Sequence, residues 1–405
     1  MSLARITPPR LRTLEEAERS ATWLELFYDL AFVAAVAVMG TRLAHDVTWP
    51  SIASYLGYFA LIWWLWASYT FYADRYDTDD LIFRLLAGAQ IVGVVMIAVS
   101  LSPGAAGSTT AFAIGYAGVR AILLLLYARA YRHVRETRQL VQGYLKGFGA
   151  AAVLWSVSIF VPDPARFWVW ALAFAIDLAT PYVLRKVQAR VPLDVSHLPE
   201  RFGLFTILVL GEAIVAVTVG LGDVEWMLPT TLVGIFGLGT ATCFWWSYFD
   251  HHEGSVVRRR GAKRNWRPTV WIYSHLPLAI AVAVFGLSVE TAIVAAEPGH
   301  TYTSAQRWLL LGSVALALSS MAAIQSTLLH GDKVQLRRSI ITHRLVGVPV
   351  VLAIGLIPNL SALWTMGLVI ALATGEVVSD LFAANPGGLR AALAAYRSAG
   401  GGATD

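Results

Sequence analysis

Of the ionisable side chains inside long apolar segments of this sequence, where a charge is costly to place, seven are candidates for function. On insertion scales a charged residue at the centre of a membrane helix costs at least ~2.5 kcal/mol, so such residues pair, line water or carry function. We therefore predict that they line an ion or substrate pathway. They are Glu25, Asp29, Arg120, Asp177, Glu212, His275 and Glu376.

Two of these positions carry specific expectations about pairing. Arg120 stays protonated in a protein and needs a counter-charge, for which Asp29 and Asp177 are the candidates at comparable depth. Glu25 and Asp29 are four residues apart, which places them on one face of a helix. Buried ion pairs that only fix helix packing are the alternative interpretation.

Glu212 and His275 are the candidates for proton chemistry. Glu212 has no cationic side chain in its own apolar segment. Desolvation would let such an isolated carboxyl group bind and release a proton near neutral pH. The alternative for Glu212 is a neutral acid bonded to a backbone carbonyl. His275 could relay protons, but a histidine that packs in the core is the favoured interpretation.

Two groups of tryptophans could form the wall of an apolar cavity. Trp63, Trp64 and Trp66 lie in one aromatic-rich segment, and Trp245 and Trp246 lie in another. A cavity between two such helices would suit a lipid-like or aromatic ligand. Packing, or an aromatic belt at the membrane interface, is the favoured interpretation of both groups.

The elements that position these residues are predicted to be transmembrane helices. Of the 405 residues, 57% are apolar and only 14% are charged, and the mean hydropathy is +0.60. A soluble globular chain carries ~25% charged residues, so the composition excludes an ordinary soluble enzyme and a disordered chain. Twelve segments approach the ~20 apolar residues that a membrane helix needs. They are Thr22–Leu43, Ser51–Tyr72, Leu85–Leu101, Thr109–Tyr127, Gly147–Val161, Phe167–Leu184, Leu204–Leu221, Leu228–Phe249, Val270–Val289, Trp308–Leu328, Leu345–Ile357 and Ser361–Ala383.

The basic residues predict the orientation of these twelve spans. With both termini in the cytoplasm, 27 of the 31 lysine and arginine residues fall on the cytoplasmic side and three on the other, with Arg120 inside a span. This asymmetry is what the positive-inside rule expects of a correct topology. The net charge of +5 is therefore explained without a nucleic-acid partner. The basic run Arg258–Arg260 is expected to contact anionic lipid head groups.

Three short matches in the same order indicate an internal duplication. Leu26–Phe27 matches Leu204–Phe205, Trp66–Tyr69 matches Trp245–Tyr248, and Leu178–Thr180 matches Leu372–Thr374. We predict an all-α membrane protein of about twelve helices in two parallel six-helix repeats, 22–190 and 191–384. Residues 1–21 and 385–405 would be cytoplasmic segments.

Motifs for metal or cofactor chemistry are weak. Cys243 is the only cysteine, so a cysteine metal site is excluded. Asp74, Asp77, Asp79 and Asp80 resemble the aspartate-rich magnesium-binding motifs of intramembrane prenyl-transferring enzymes. The second such motif that those enzymes need is absent, and an acidic solvated loop is favoured. We expect no metal and no cofactor, and an enzymatic activity is not the favoured interpretation.

Several stretches resemble the signatures of a known family. Trp23–Val33 resembles the first-helix signature of the bacterial low-temperature-requirement A (LtrA) membrane proteins. His197–Phe205 and Val209–Ile214 together resemble the second signature of that family, and Trp245–Asp250 and His275–Leu278 resemble later motifs. The resemblance implies a multi-pass protein of the bacterial inner membrane that is linked to growth in the cold. It implies no biochemical activity.

A transporter or permease is the function that these features favour. Twelve helices, parallel halves and acidic residues near the midplane suit proton-coupled alternating access to a small molecule or ion. An ion channel and an intramembrane enzyme acting on a lipid or isoprenoid remain as alternatives.

Overall fold

The computed structural model describes residues 6–12, 20–102, 108–191, 197–250, 266–328 and 334–384. The side chain of Asp77, the basic run Arg258–Arg260 and the predicted tail 385–405 lie outside the described residues. Everything below refers to the described part of the chain.

The regular structure of the described chain is α-helical apart from one two-residue ladder and one short 3-10 turn, which confirms the all-α prediction. The helices are α1 (Trp23–His45), α2 (Trp49–Arg75), α3 (Leu81–Leu101), α4 (Thr109–His133), α5 (Arg138–Ser158), α6 (Ala165–Val183), α7 (Arg185–Gln188), α8 (His197–Gly222), α9 (Leu228–Phe249), α10 (Arg267–Ala295), α11 (Ser304–Ser326), α12 (Val334–Gly355) and α13 (Ala362–Ala384). The strands β1 (Arg10–Leu11) and β2 (Tyr76–Asp77) pair antiparallel.

Nine of the described helices are long and apolar enough to cross a membrane, where twelve spans were predicted. They are α1, α3, α4 and α8 to α13. The other long helices, α2, α5 and α6, coincide in position with predicted spans. Tryptophan and tyrosine are frequent in α2, and basic or acidic residues interrupt α5 and α6. The mean hydropathy of these three helices is therefore below the level that the other nine reach.

Polar side chains fix where several helices begin. Thr22 caps α1 in a reciprocal capping box with Glu25, and Thr303 caps α11 in the same way with Gln306. Thr48, Asp80 and Ser108 cap α2, α3 and α4. Each cap satisfies a backbone N–H that has no partner within the helix, which matters most where water is scarce.

The chain divides into two compact units, and the division falls inside α8. Unit 1 comprises the described residues up to Leu208, and unit 2 comprises those from Val209 onward. Within unit 1, α3, α4, α5 and α6 pack consecutively, and α1 packs on α2 and α3. Within unit 2, α10, α11, α12 and α13 pack consecutively, and α13 also packs on α9.

Each unit contains one helix with a long stretch buried on all sides. In α2 every residue from Leu61 to Arg75 is buried, and in α10 every residue from Leu278 to Val289 is buried. A helix that is buried all round needs no polar face. The α10 stretch is accordingly aliphatic except for Phe285 and Ser288, whereas the α2 stretch carries polar and aromatic side chains that contribute to the site.

The buried carboxylate of Asp80 joins three parts of unit 1. It accepts hydrogen bonds from the Phe83 backbone N–H (3.1 Å), the Thr7 backbone N–H (3.3 Å) and both terminal nitrogens of Arg129 (2.9 and 2.6 Å). Burial raises the pKa of Asp80, but the hydrogen bonds from Arg129, Phe83 and Thr7 outweigh this effect and hold the pKa below its usual value. The ionised carboxylate therefore stabilises the fold.

We expect Asp80→Asn to lower the stability by about 1–3 kcal/mol at neutral pH, since it removes charge-assisted hydrogen bonds. The depressed pKa means that this contribution is present above the unfolded value of about 4 and is lost as the pH falls through the folded pKa. The difference in stability between wild type and Asp80→Asn would be measured by thermal unfolding in detergent. It should be constant near neutral pH and should disappear below about pH 4. Asp79→Asn, which removes the exposed pair with Arg84, is the control. A gap that persists unchanged in acid would contradict the assignment.

Candidate functional site

A cluster of five ionisable side chains lies inside unit 1, on α1, α2 and the first half of α8. Glu25 and Asp29 come from α1, Asp74 from the end of α2, and His197 and Arg201 from the start of α8. None is more than 2% exposed. Groups of this kind are buried only in contact with opposite charges or hydrogen-bond partners, so their arrangement defines what the site can do.

Arg201 joins the two acids of α1. Its Nη2 donates to Asp29 Oδ1 at 2.5 Å, and its Nη1 lies 3.3 Å from Glu25 Oε1. Glu25 and Asp29 are four residues apart on α1, so one guanidinium can reach both. The indole Nε1 of Trp66 donates to the same Asp29 oxygen at 2.7 Å, which fixes the carboxylate between α2 and α8.

His197 lies between two carboxylates from different helices. Its Nδ1 is 3.1 Å from Asp74 Oδ1, and its Nε2 is 3.4 Å from Glu25 Oε2. A carboxylate can only accept, so an imidazole that bonds two carboxylates must donate from both nitrogens, as only the imidazolium does. With both acids ionised, His197 carries one proton in this contact, and loss of that proton would remove the donor to one of the two carboxylates.

Four buried polar groups near Asp29 hold atoms without a hydrogen-bond partner in the described part of the chain. The atoms are Asp29 Oδ2, Arg201 Nε, the Tyr69 hydroxyl and Gln90 Nε2. The Tyr69 hydroxyl interacts electrostatically with Arg201 and Asp29. The ring of Tyr69 stacks on Tyr28, whose hydroxyl donates to Gln90. Buried polar atoms normally find partners, so these atoms are suited to bind water or a polar solute.

Trp66 of α2 packs beside this cluster, within a group of buried aromatic side chains. Trp63, Trp64 and Trp66 are buried, and the Trp66 ring contacts the rings of Phe202 and Phe205 at centroid distances of 5.0 and 4.1 Å. These side chains form a packed apolar boundary on one side of Asp29. Their indole rings supply apolar contact area, and the Trp66 indole also donates its N–H to Asp29.

The second tryptophan group does not share this arrangement. Trp245 and Trp246 on α9 are 47% and 39% exposed, and the Trp246 indole donates to Asp250 at the end of the helix. This exposure fits the favoured interpretation of Trp245 and Trp246 as part of an aromatic belt, and a cavity wall at this pair stays a prediction. The physical reason for the exposure is the position of the pair at the end of α9, where an amphipathic indole favours an interfacial environment.

Arg120 and Asp177 form a separate buried pair within unit 1. Arg120 Nη2 bonds Asp177 Oδ1, and its Nη1 donates to Ser68 at 3.2 Å. The guanidinium lies over the ring of Phe148, 4.7 Å from its centroid. Of the two partners predicted for Arg120, the structure thus selects Asp177, and Asp29 pairs with Arg201 instead.

The three remaining predicted residues lie in unit 2. Glu212 is half-buried, and its carboxyl group interacts electrostatically with that of Glu290 on α10. His275 Nδ1 bonds the backbone oxygen of Trp271 at 2.7 Å, and its Nε2 bonds the Tyr248 hydroxyl at 2.9 Å. His275 is therefore held in the core by these contacts, in line with its packing interpretation. Glu376 is buried beside Arg344, as described below.

The aspartates that resemble a magnesium motif have different partners in the structure. Asp74 bonds His197, Asp80 bonds Arg129, and Asp79 pairs with Arg84 at the surface. These three carboxylates consequently do not converge on a common ion. Among the described residues, no group of three or more histidine, cysteine, aspartate or glutamate side chains has the geometry of a metal site.

Comparison with known proteins identifies the family. The model of the bacterial low temperature requirement A protein (LtrA) matches residues 20–378, which is most of the chain. The chain belongs to the LtrA family. Together with its apolar helices, this makes it a multi-pass helical membrane protein.

The name of one related protein states no function. An uncharacterized protein of Rhizobium meliloti, RA0937, is 26% identical to this LtrA chain over 295 residues, covering 66% of this chain and 68% of the relative. No solved structure matches the LtrA chain. The comparisons therefore establish the family and leave the chemistry to the geometry of the site.

Sequence reasoning missed four residues that the structure places in buried polar clusters of this LtrA protein. Arg201 and Arg344 were counted as cytoplasmic basic residues, Asp74 was assigned to an acidic loop, and His197 was given no role. The signal that could have found two of them is the second family signature, because it begins at His197 and contains Arg201.

Proposed function

We propose that this LtrA protein is a proton-coupled transporter and that His197, held between Glu25 and Asp74, is its proton-carrying group. The observation that supports this proposal is that each ring nitrogen of His197 contacts a carboxylate. Nδ1 lies 3.1 Å from Asp74 Oδ1, and Nε2 lies 3.4 Å from Glu25 Oε2. Loss of the proton would remove a donor from one of these contacts and weaken the tie of α8 to α1 or α2. A proton would thereby bias the position of a helix, which is what coupling requires.

The substrate would bind beside this contact. Asp29 and Arg201 present an acceptor and a donor without partners, and Tyr69 and Gln90 add a hydroxyl and an amide. A small polar solute or ion could satisfy these atoms, and Trp66 would close the apolar side. Binding that competes for Asp29 or Arg201 would also disturb Glu25, so substrate and proton would act on one connected set of bonds.

The proposal includes the finer topology. We infer twelve spans in two parallel six-helix repeats, with both termini in the cytoplasm of a bacterial inner membrane and with basic segments facing anionic lipid. Two observations support it. A helix occupies each predicted position, and four consecutive helices pack in order in each unit, α3 to α6 and α10 to α13.

A transporter accounts for the site better than the alternatives do. An open ion channel needs a continuous polar path. Arg201 and Arg120 are each paired with a buried acid, so these charges bind each other and do not line an open path. A diphosphate-dependent enzyme needs converging carboxylates, whereas Asp74, Asp79 and Asp80 have separate partners.

The test is transport by the purified protein in proteoliposomes on a solid-supported membrane electrode. Amino acids, sugars, organic acids and organic cations would be offered as classes of probe, with and without a pH gradient. We expect a saturable current that depends on the gradient for one class. His197→Gln should lose the pH dependence, since an amide cannot carry the proton.

The matched control is His300→Gln, which changes an exposed histidine that also faces a carboxylate, Glu297. It should transport as the wild type does. Three results would reject the proposal: no current with any class, an unchanged pH profile in His197→Gln, or a steady current that never saturates. The last of these would indicate a channel.

A further inference from the structure

A second buried polar cluster lies inside unit 2, on α12 and α13. Arg344 of α12 is fully buried, and Glu376 and Asp380 of α13 are only 8% and 6% exposed. Glu376 and Asp380 are four residues apart and share one face of α13. Arg344 Nη2 donates to Asp380 Oδ2 and to the backbone oxygen of Ser247, both at 3.0 Å.

Several atoms of this cluster have no hydrogen-bond partner in the described part of the chain. They are Glu376 Oε2, Asp380 Oδ1, and Arg344 Nε and Nη1. Gly347, one turn from Arg344, lets the Glu376 carboxylate approach the α12 backbone, because a Cβ there would lie 2.6 Å from Glu376 Oε1. Buried polar atoms left open on both acids indicate that something else binds to them.

The charges of the cluster do not balance. Arg344 contributes one positive charge, and Glu376 and Asp380 contribute two negative charges when ionised. The buried pair of unit 1, Arg120 with Asp177, is balanced one to one. An uncompensated charge in a buried site is strongly unfavourable, so the cluster of unit 2, as the described residues form it, lacks one positive charge.

We propose that Glu376 and Asp380 bind one monovalent cation, a proton or a sodium ion, at the open oxygens Glu376 Oε2 and Asp380 Oδ1. Either cation supplies the missing charge. Arg344 holds Asp380 in place and limits the site to a single charge, since a divalent ion would reverse the imbalance next to a guanidinium.

The surroundings of the site leave these two acids as its titratable groups. The charged side chains that act on the Glu376 carboxyl group are Arg344 from α12 and Asp380 from α13. On α9, Ser247 contributes its backbone oxygen. On α10, His275 is bonded to Trp271 and Tyr248, and α11 packs Leu318 against Gly347.

The test compares the infrared spectra of the purified wild type and variants in detergent, with sodium chloride or choline chloride as the salt. Thermal unfolding is measured in the same two salts. A protonated carboxyl group gives a C=O band that an ionised one lacks. For a bound proton, we expect this band in the wild type in either salt and its loss in Glu376→Gln. For bound sodium, we expect sodium to raise the thermal midpoint of the wild type, and this rise should be lost in Glu376→Gln.

Glu225→Gln is the matched control, because it makes the same substitution at an exposed position of unit 2. Asp380→Asn is the second variant should Glu376→Gln not fold. The site is disproved if both acid variants behave like Glu225→Gln in the infrared band and in the sodium response. These measurements need no transport and use no residue of the His197 contact, so they can fail or succeed independently of the proposed function.

Discussion

Arg201→Gln is expected to destabilise the protein by about 3–5 kcal/mol, because it removes one partner of a buried ion pair. The guanidinium is fully buried and contacts both Asp29 and Glu25. Without it, Asp29 loses the cation that offsets its burial, and Glu25 loses one of its charged partners. Thermal or denaturant unfolding in detergent would measure the loss.

Two further variants separate the contribution of the Asp29–Arg201 ion pair from the general effect of substituting an arginine. Arg185→Gln changes an exposed arginine of unit 1 and should have little effect. The double variant Asp29→Asn with Arg201→Gln should lose less than the sum of the two single variants, with a coupling of about 1–3 kcal/mol. Strict additivity would show that Asp29 and Arg201 do not depend on each other.

Gly286→Ala is the second substitution expected to have a large effect, because no side chain fits at this position of α10. A Cβ there would lie 2.9 Å from the Cα and 3.0 Å from the backbone nitrogen of Ala213 on α8. Backbone atoms cannot turn aside as a flexible side chain can, so the two helices must separate. We expect a loss of about 1–3 kcal/mol, in spite of the higher helix propensity of alanine.

Gly312→Ala on α11 is the matched control for this substitution. Its added Cβ would meet nothing within 4 Å, so the change should be neutral or stabilise by up to about 1 kcal/mol. Both variants would be compared by their thermal midpoints in the same detergent. Equal midpoints would mean that α8 and α10 are not held at the close distance described here.

Hydropathy found the helices but not their ends, and this explains which site residues were missed. The predicted span Leu204–Leu221 begins seven residues after the start of α8 at His197, and Leu345–Ile357 begins eleven residues after the start of α12 at Val334. The omitted turns carry His197, Arg201 and Arg344. A window that seeks apolar residues leaves out terminal turns that carry an arginine. The helix includes those turns here, where a buried acid pairs with the arginine.

The pairing of charges was partly predictable. The depth of Arg120 limited its partner to two acids, and the structure selects Asp177. Asp29 does not pair with Arg120 because it pairs with Arg201, which the count of basic residues places in a cytoplasmic loop. A count of basic residues along the chain contains no information about which arginines turn inward, because that depends on packing between distant helices.

The hydrogen bond from Trp66 to Asp29 gives the protein a spectroscopic reporter. The indole donates to the same carboxylate oxygen that binds Arg201, so its fluorescence emission depends on the electric field of that ion pair. A solute or proton that draws Arg201 away from Asp29 would change this field at the ring. The difference in emission between the wild type and Trp66→Phe would therefore follow occupancy of the buried cluster in real time, without an added dye.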